Sequence, residues 1–238
     1  MINRFYRKWF ILAILFLLPV IFLLFLYPST HNYNSLDIVN ENITEIDSVI
    51  FINENTTRLS GNITVLSFLG NNPMKNITSA LNLKELVYDK FKGFKRFQIV
   101  SIGGENSKSA LENVRKELLK TDELKYWYFA YAESSSINEI YNSFRSDHNL
   151  DSSNYTNRVF IIDKVLNQRG RIDDRDDDQK EKNLKLFGLY SYNSILVSQI
   201  KGKMNDDIRI LFTEYRQKRK GNFNSNIRRI SNLDGNDE

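Results

Sequence analysis

Ile63-Thr64-Val65-Leu66-Ser67-Phe68-Leu69-Gly70-Asn71-Asn72-Pro73-Met74-Lys75-Asn76 is the stretch whose reading decides the fold. Ile63, Val65, Leu66, Phe68 and Leu69 form a short, nearly continuous apolar run, the pattern of a strand covered on both faces rather than one with a wet face. Asn72 then reads as a helix N-cap with Pro73 in the first helical position, where a missing N–H costs nothing. A buried strand therefore runs into a loop and a helix start. The carboxyl end of a central strand is where open α/β sheets place their ligands.

The flanking sequence supplies the rest of such a sheet. Upstream, residues 49–52 (Val-Ile-Phe-Ile) are a first strand candidate, joined to the strand at Ile63 by a polar connection. Downstream, Ile77, Ala80, Leu83, Val87, Phe91 and Phe94 recur at three- and four-residue steps, an amphipathic helix closed by Gly93. Phe97, Ile99, Val100 and Ile102 predict the next strand, with Gly103-Gly104 as the turn out of it. Ser109 and Glu112 read as a capping box, with Ala110, Val114 and Leu118 along one face of the helix that follows. Residues 126–131, Tyr-Trp-Tyr-Phe-Ala-Tyr, predict an aromatic strand, and Ile137, Ile140, Tyr141 and Phe144 a further helix. Residues 159–163 predict a strand that pairs as a hairpin with 169–172. Val197, Ile200, Met204, Ile208, Leu211 and Tyr215 give the strongest helical period in the chain. Strands alternating with helices imply a parallel core covered on both faces.

The order of a strand, Asn72-Pro73-Met74-Lys75-Asn76, a helix, a strand at 97–102 and, late in the chain, Val159-Phe160-Ile161-Ile162-Asp163-Lys164 resembles the Sco/SenC family. These are membrane-anchored, thioredoxin-like copper chaperones of cytochrome oxidase assembly. The resemblance covers roughly residues 45–217 as an order of elements, with motif identity confined to Pro73, Asp163 and the apolar patterning. It implies an α/β thioredoxin-like domain over residues 48–217, with a central mixed sheet flanked by helices and opened by a β-hairpin of the strands at 49 and 63. The family holds copper on two cysteines four residues apart, the first followed by proline, and on a histidine just before the strand that ends in Asp. By register Asn72 and Asn76 stand at the cysteine positions and Tyr155 at the histidine position. All three ligands are replaced, and amide oxygens are hard donors that do not substitute for thiolates on Cu(I). The resemblance thus implies the fold and an oxidase-related protein partner, while the substitutions lead to the expectation of no metal, no cofactor and no enzymatic activity.

Composition bears on the same question. The 238 residues include no cysteine, which removes disulfides, thiolate metal sites, cysteine nucleophiles and thiol redox cycling together. The net charge of +4 is spread along the chain and does not predict a nucleic-acid partner. No phosphate-binding Gly-rich loop and no nucleophile elbow is present. Proline is absent after Pro73, so the proline that many thioredoxin-like proteins place beside their active site is missing. His148 lies seven residues before Tyr155 and reads as a solvated histidine.

The N-terminus carries the address. Residues 9–27 contain no charge and are the length of a membrane span, with Arg4, Arg7 and Lys8 before them. The expected organisation is a cytoplasmic segment 1–8, a transmembrane anchor 9–27, a polar tether 28–47, the domain 48–217 and a polar tail 218–238. The expected location is a bacterial inner membrane with the domain on the periplasmic side. In the charged insert at 173–185, Asp174, Asp176 and Asp178 alternate like a calcium loop, but Gln179 and Lys185 stand where such a loop needs Gly and Glu. A self-compensating solvated loop is the reading of that insert. Met74, Trp127, Asp174 and Asp176 are the candidate contact residues. Two functions stay open: an accessory protein of a respiratory oxidase, and a structural or binding subunit of another envelope membrane complex.

Overall fold

The computed structural model describes residues 4–26 and 35–219, with side chains from Lys8 to Leu24 in the first of these. The chain divides into two units, residues 1–34 and 35–238. In the first, helix α1 (Arg4–Leu26) has 23 residues with Pro19 inside it. Among the described residues no helix is long and apolar enough to cross a membrane. The expected span, 9–27, runs past Leu26 and past the described side chains. The expected tail, beyond Arg219, lies outside the described residues.

The second unit holds strands β1 (Asp37–Asn40), β2 (Ile50–Phe51), β3 (Ile63–Gly70), β4 (Phe97–Gly104), β5 (Trp127–Ala132), β6 (Tyr155–Ile162), β7 (Gln168–Gly170) and β8 (Tyr192–Asn193). Its helices are α2 (Ile77–Leu83), α3 (Asp89–Phe91), α4 (Lys108–Leu119), α5 (Ser134–Asn142), α6 (Asp177–Glu181), α7 (Val197–Gln199) and α8 (Asn205–Arg219). A π turn, Lys84–Tyr88, joins α2 to α3, and another, Ile200–Met204, joins α7 to α8, so each set runs as one helix. The sheet order is β1-β7-β6-β3-β4-β5-β2, with β8 also on β6. β3, β4 and β5 are mutually parallel, whereas β6 is antiparallel to β3 and β7 to β6.

Every residue of β3 and of β4 is buried, as the apolar run at Ile63 predicts. Side chains alternate between two cores. Ile63, Val65 and Leu69 face one with Ile99, Val159, Ile161, Leu83, Val114, Ile208 and Leu211. Leu66 and Phe68 face the other with Val100, Ile102, Phe160, Ile137 and Ile140. The connectivity explains the layers. β3, β4 and β5 step in one direction across the sheet, so right-handed crossovers put α2 and α4 on the same face. The chain then returns past β3 to reach β6, and α5 covers the opposite face on the way. Ser67, alone among β3's neighbours on the first face, is polar; its hydroxyl meets Ser101 Oγ at 2.8 Å, and Ser101 Oγ accepts the Trp127 indole N–H at 3.0 Å. That chain satisfies three buried polar groups that would otherwise be costly.

Several expectations are corrected. Residues 36–47, read as tether, belong to the fold: β1 pairs with β7, and Leu36, Val39, Ile43 and Ile46 are buried. Their apolar side chains are spaced by three and four among Asn, Glu and Asp, which hides them from any strand pattern. β2 does not pair with β3 as a hairpin; it joins β5 at the far edge, Ile50 opposite Tyr131. The polar connection 52–62 is long enough to return from edge to centre. Gly103-Gly104 is not a turn but the end of β4, opposite Tyr131 and Ala132. The cap of helix α4 is Ser107, two residues before the predicted Ser109, and the helix buries Leu111 rather than Ala110 with Val114 and Leu118.

Candidate functional site

Four segments meet at one end of the sheet: the loop after β3, the loop after β4, the start of α5 after β5, and residues 151–155 leading into the antiparallel β6. Leu69 is in register with Tyr155, which brings the end of β3 to the start of β6. Gly70 has φ +71°, and a Cβ there would lie 2.7 Å from the Ser153 carbonyl oxygen and 2.8 Å from Tyr155 Cβ. Only glycine allows that turn and that approach together. Asn71 N–H donates to the Ser153 carbonyl at 2.8 Å, while a Cβ on Gly104 would meet Asn71 Oδ1 at 1.8 Å. The Asn71 side chain therefore lies directly over the end of β4.

The helix after Pro73 starts later than the sequence predicts. Lys75 N–H donates to the Asn72 carbonyl at 3.0 Å and Asn76 N–H to the Pro73 carbonyl at 3.1 Å, so residues 72–76 form tight turns and α2 begins at Ile77. The predicted cap at Asn72 is replaced by Asn76, whose side chain makes no capping bond. At three residues per turn, residue 76 sits about a third of a turn beyond residue 72 rather than directly above it. Asn76 Nδ2 instead donates back to the Leu69 carbonyl at 2.9 Å, tying the helix entry to the end of β3. Asn72 is exposed, Pro73 is buried and Met74 is 40% exposed.

Opposite them, Asp151 organises the approach to β6. Its Oδ1 accepts from Ser153 N–H at 2.8 Å, Ser153 Oγ at 2.7 Å and Tyr155 N–H at 2.9 Å. Partial burial raises the Asp151 pKa, but these three donors and the charge of Lys75 outweigh it and leave the carboxyl below its ordinary 3.8. Asn154 has φ +60° and donates through Nδ2 to Ser134 Oγ at 2.8 Å. Tyr155 is half-buried, and burial followed by the charge of Asp151 raises its phenol pKa above 10.0. At neutral pH it presents a neutral O–H.

Asn72, Asn76 and Tyr155 thus belong to one end of the sheet, at the carboxyl end of β3. Other sequence candidates lie elsewhere or are already engaged. Trp127 is no contact residue: it is 3% exposed, packs on Tyr88 and Phe129, and opens β5 at the opposite end of the sheet. Asp174 is likewise corrected, since its side chain is 4% exposed and holds Arg171 at 3.1 Å and Lys203 at 2.5 Å. Asp176 caps α6, accepting Gln179 N–H at 2.8 Å in a capping box. Asp173 binds Arg175, whose guanidinium lowers its pKa to about 2. These pairings are the charge compensation expected of the insert. The His148 ring contacts the Arg158 guanidinium. Asp163, the second residue that carries the resemblance, stands at the other end of β6. It caps the β6–β7 turn through Val165 N–H and Asn167 N–H, both at 3.0 Å, and pairs with the buried Arg169 at 3.0 Å.

A parallel β3-β4 pair with its helix on one face, followed by an antiparallel β6-β7 hairpin on the other side of β3 and a closing helix, is the thioredoxin arrangement. The fold is thioredoxin-like. No protein-family model matches the chain, and no curated protein matches it in sequence. Among solved structures it is similar to BsSco, a member of the Sco family of cytochrome c oxidase assembly proteins, at 12% identity and TM-score 0.47, covering 75% of this chain and 98% of that one. ScoI from Arabidopsis thaliana with copper bound is similar at 12% identity and TM-score 0.40, covering 71% and 99%. The thioredoxin domain of a thiol-disulfide oxidoreductase from Bacteroides vulgatus is similar at 13% identity and TM-score 0.38, covering 65% and 100%.

The donor set of the site decides its chemistry. Around the end of β3 stand four amides, several hydroxyls, one thioether and Asp151, whose near oxygen already accepts three hydrogen bonds. Among the described residues no group of three or more His, Asp or Glu is placed to hold a metal ion. Sequence reasoning missed Asn71, Asp151 and Ser153. A signal for the last two was present, because Asp followed by Ser-Ser-Asn is an Asx-turn sequence.

Proposed function

We propose that this chain is a non-catalytic, membrane-anchored Sco/SenC-like protein that serves as an accessory or interaction partner in respiratory oxidase assembly or function, without copper or thiol chemistry. The reading is supported by the end of β3, where the structure gathers Asn72, Asn76 and Tyr155, the residues that the resemblance in element order assigns to the family's ligand positions. Asn76 is tied to the Leu69 carbonyl and Tyr155 is held as a neutral phenol. Neutral amides and a phenol supply neither the charge nor the softness that Cu(I) requires. Exposed Asn72 and Met74 make this end a contact surface in place of a ligand site. The oxidase as partner comes from the resemblance in element order, and a fold alone does not fix it. The anchor is supported by the character of α1, where Phe10, Leu15, Phe16 and Leu23 are 64–68% exposed, an all-round apolar helix of the kind that a bilayer solvates. Its flanking Arg4, Arg7 and Lys8 support a domain on the periplasmic side.

Copper competition tests the chemistry. The full chain in detergent, loaded with Cu(I) and challenged with a competing chelator, is expected to retain none, and stoichiometric retention would overturn the reading. The triple variant Asn72→Cys, Asn76→Cys, Tyr155→His is expected to recover Cu(I) binding, since the fold already brings these positions to one end of the sheet. Partner capture from mildly solubilised membranes separates an oxidase from another envelope complex, the alternative assignment.

A further inference from the structure

The insert between β7 and β8 is more ordered than its composition suggests. Arg171 and Leu189 exchange backbone hydrogen bonds of 2.9 and 2.8 Å at its base. Further out, Asp174 N–H donates to the Phe187 carbonyl at 2.9 Å and Arg175 Nη1 to the Leu184 carbonyl at 2.7 Å. A loop pinned in this way has the means to bury its apolar side chains, yet Ile172, Leu184, Leu186 and Phe187 are 43, 48, 52 and 45% exposed. Three of the four fall within residues 184–187. The sequence Lys182-Asn183-Leu184-Lys185-Leu186-Phe187 interleaves them with two exposed lysines, and neither lysine forms a salt bridge with a described residue. Four carboxylates of the insert are accounted for: Asp173 and Asp174 are paired, Asp176 caps α6, and Asp177 projects from that helix with its side chain 99% exposed, while Asp178 and Glu181 are exposed on α6.

The location of this strip supplies its occupant. Ile172 N–H donates to Asp37 Oδ2 at 2.9 Å, and Asp37 opens β1 two residues after the domain unit starts at Ser35. The base of the strip, at Ile172, thus lies beside Asp37, close to where the chain enters the domain unit. Residues 27–34 are all that separates α1 from that unit, and even fully extended they reach no more than roughly 30 Å. We propose that residues 182–187, with Ile172, form a membrane-contact surface that rests on the anionic headgroup region of the bilayer holding α1. Leu184, Leu186 and Phe187 enter the interface and Lys182 and Lys185 meet lipid phosphates, as interfacial segments do. The inference rests on the anchored reading of α1. It would orient the domain, fixing which of its ends a membrane-embedded partner meets.

The chain has no cysteine, so single-cysteine variants carry one nitroxide each without background. Leu15→Cys, Leu186→Cys and Asp177→Cys of the full chain, reconstituted in vesicles of phosphatidylethanolamine and phosphatidylglycerol, are compared by collision with lipid-soluble oxygen and with a water-soluble nickel chelate. The expected result is oxygen-accessible, nickel-shielded labels at 15 and 186, and a nickel-accessible label at 177. Replacing phosphatidylglycerol by phosphatidylcholine is expected to raise nickel access at 186 several-fold while leaving 15 unchanged. A label at 186 as open to nickel as that at 177, with 15 in the lipid, overturns the contact surface and leaves the anchor intact. A label at 15 open to nickel instead removes the anchor and the inference with it. Shielding of 186 from both colliders means a protein covers the strip, and that also overturns the proposal. A companion set labelled at Ile172→Cys, with and without Leu186→Asp, guards against a local effect of labelling: loss of leucine is expected to release 172 into nickel-accessible water.

Discussion

The two ends of β6 differ in how they use polar side chains. At its start, Tyr155 stands among neutral amides and hydroxyls, most of them half-buried or exposed, and the Asp151 carboxylate is spent on its own loop. At its far end, Asp163, Arg169 and Glu214 are 1, 2 and 4% exposed and joined in one network. Arg169 holds Asp163 through Nη1, and its Nη2 reaches both Glu214 and the Leu36 carbonyl, the latter at 2.7 Å; Lys218 adds a 2.7 Å bond to Glu214. One arginine therefore links the β6–β7 hairpin, α8 and the N-terminal segment. The comparison teaches that polar side chains serve the two ends differently. Asp163 is needed by the fold, since it joins the β6–β7 turn to Arg169 in the buried network. Asn72 is exposed and Asn76 and Tyr155 are half-buried at the other end, where no such network holds the sheet together among the described residues.

The largest test breaks the buried end. Arg169→Met removes the buried cation that joins Asp163 to Glu214, leaving Asp163 to the hydrogen bonds of its turn and Glu214 to Lys218. A loss of about 3–5 kcal/mol is expected for breaking such a pair from one side. Urea unfolding of the parent and the variant reads it, as a lower midpoint at an unchanged slope. A midpoint equal to the parent's would mean that the network contributes nothing net.

The next test strains the exposed end. Gly70→Ala places a Cβ 2.7 Å from the Ser153 carbonyl, a backbone atom, at a φ of +71°. Strain of this sort costs on the order of 1–3 kcal/mol. Unfolding again measures it, and Gly93→Ala is the control, since nothing lies within 4 Å of a Cβ at 93. Equal behaviour of the two variants would show that the 151–155 loop yields freely.

These contrasts also mark what was legible in the sequence. The continuous apolar run at Ile63 and the 3.6-residue period after Val197 reveal the central strand and the closing helix because each element is long and buried along its whole pattern. The edge elements are invisible for the opposite reason. β1 buries only Val39 of its four residues, and β2 has only two residues, so neither builds a period. The cap at Asn72 fails because asparagine before proline fits a tight turn as well as a helix start, and the bond that decides, Asn76 to the Leu69 carbonyl, is a contact with the preceding strand that spacing does not express. Trp127 reads as a surface aromatic until Ser101, 26 residues upstream, is seen to accept its indole N–H. The buried network is equally silent in sequence, since Asp163, Arg169 and Glu214 look like surface charges.

Acidification probes the carboxylate that organises the approach to β6. Asp151 has a folded pKa below its ordinary 3.8, so the stabilisation it gives is fully present above that value and is lost as pH falls through the folded pKa. The Tyr155 amide, bound to Asp151 Oδ1, is the local reporter. Its hydrogen exchange or chemical shift is expected to be flat down to about pH 4 and to move below it. Asp151→Asn is expected to flatten the response, and an unchanged acid response in that variant would assign it to another group.

The smallest expected effects lie at the ligand positions themselves, and they separate two readings of one loop. Asn76→Ala removes a half-buried donor from the Leu69 carbonyl and is expected to cost on the order of 1 kcal/mol. Asn72→Ala removes an exposed side chain that caps nothing, and a change within about 0.5 kcal/mol is expected. A sequence-derived N-cap at 72 would reverse the order, with Asn72→Ala costing about 1 kcal/mol and Asn76→Ala almost nothing. Unfolding midpoints of the two single variants decide between them without reference to any ligand. The outcome also bears on restoring cysteine at both positions. If Asn76 ties the loop to β3, the variant with cysteine at 76 starts from a looser turn, and copper bridging 72, 76 and a histidine at 155 should return the lost stability as a higher midpoint in the metal-loaded form. A midpoint that does not respond to Cu(I) would show that the three positions, though gathered at one end of the sheet, do not close on one ion.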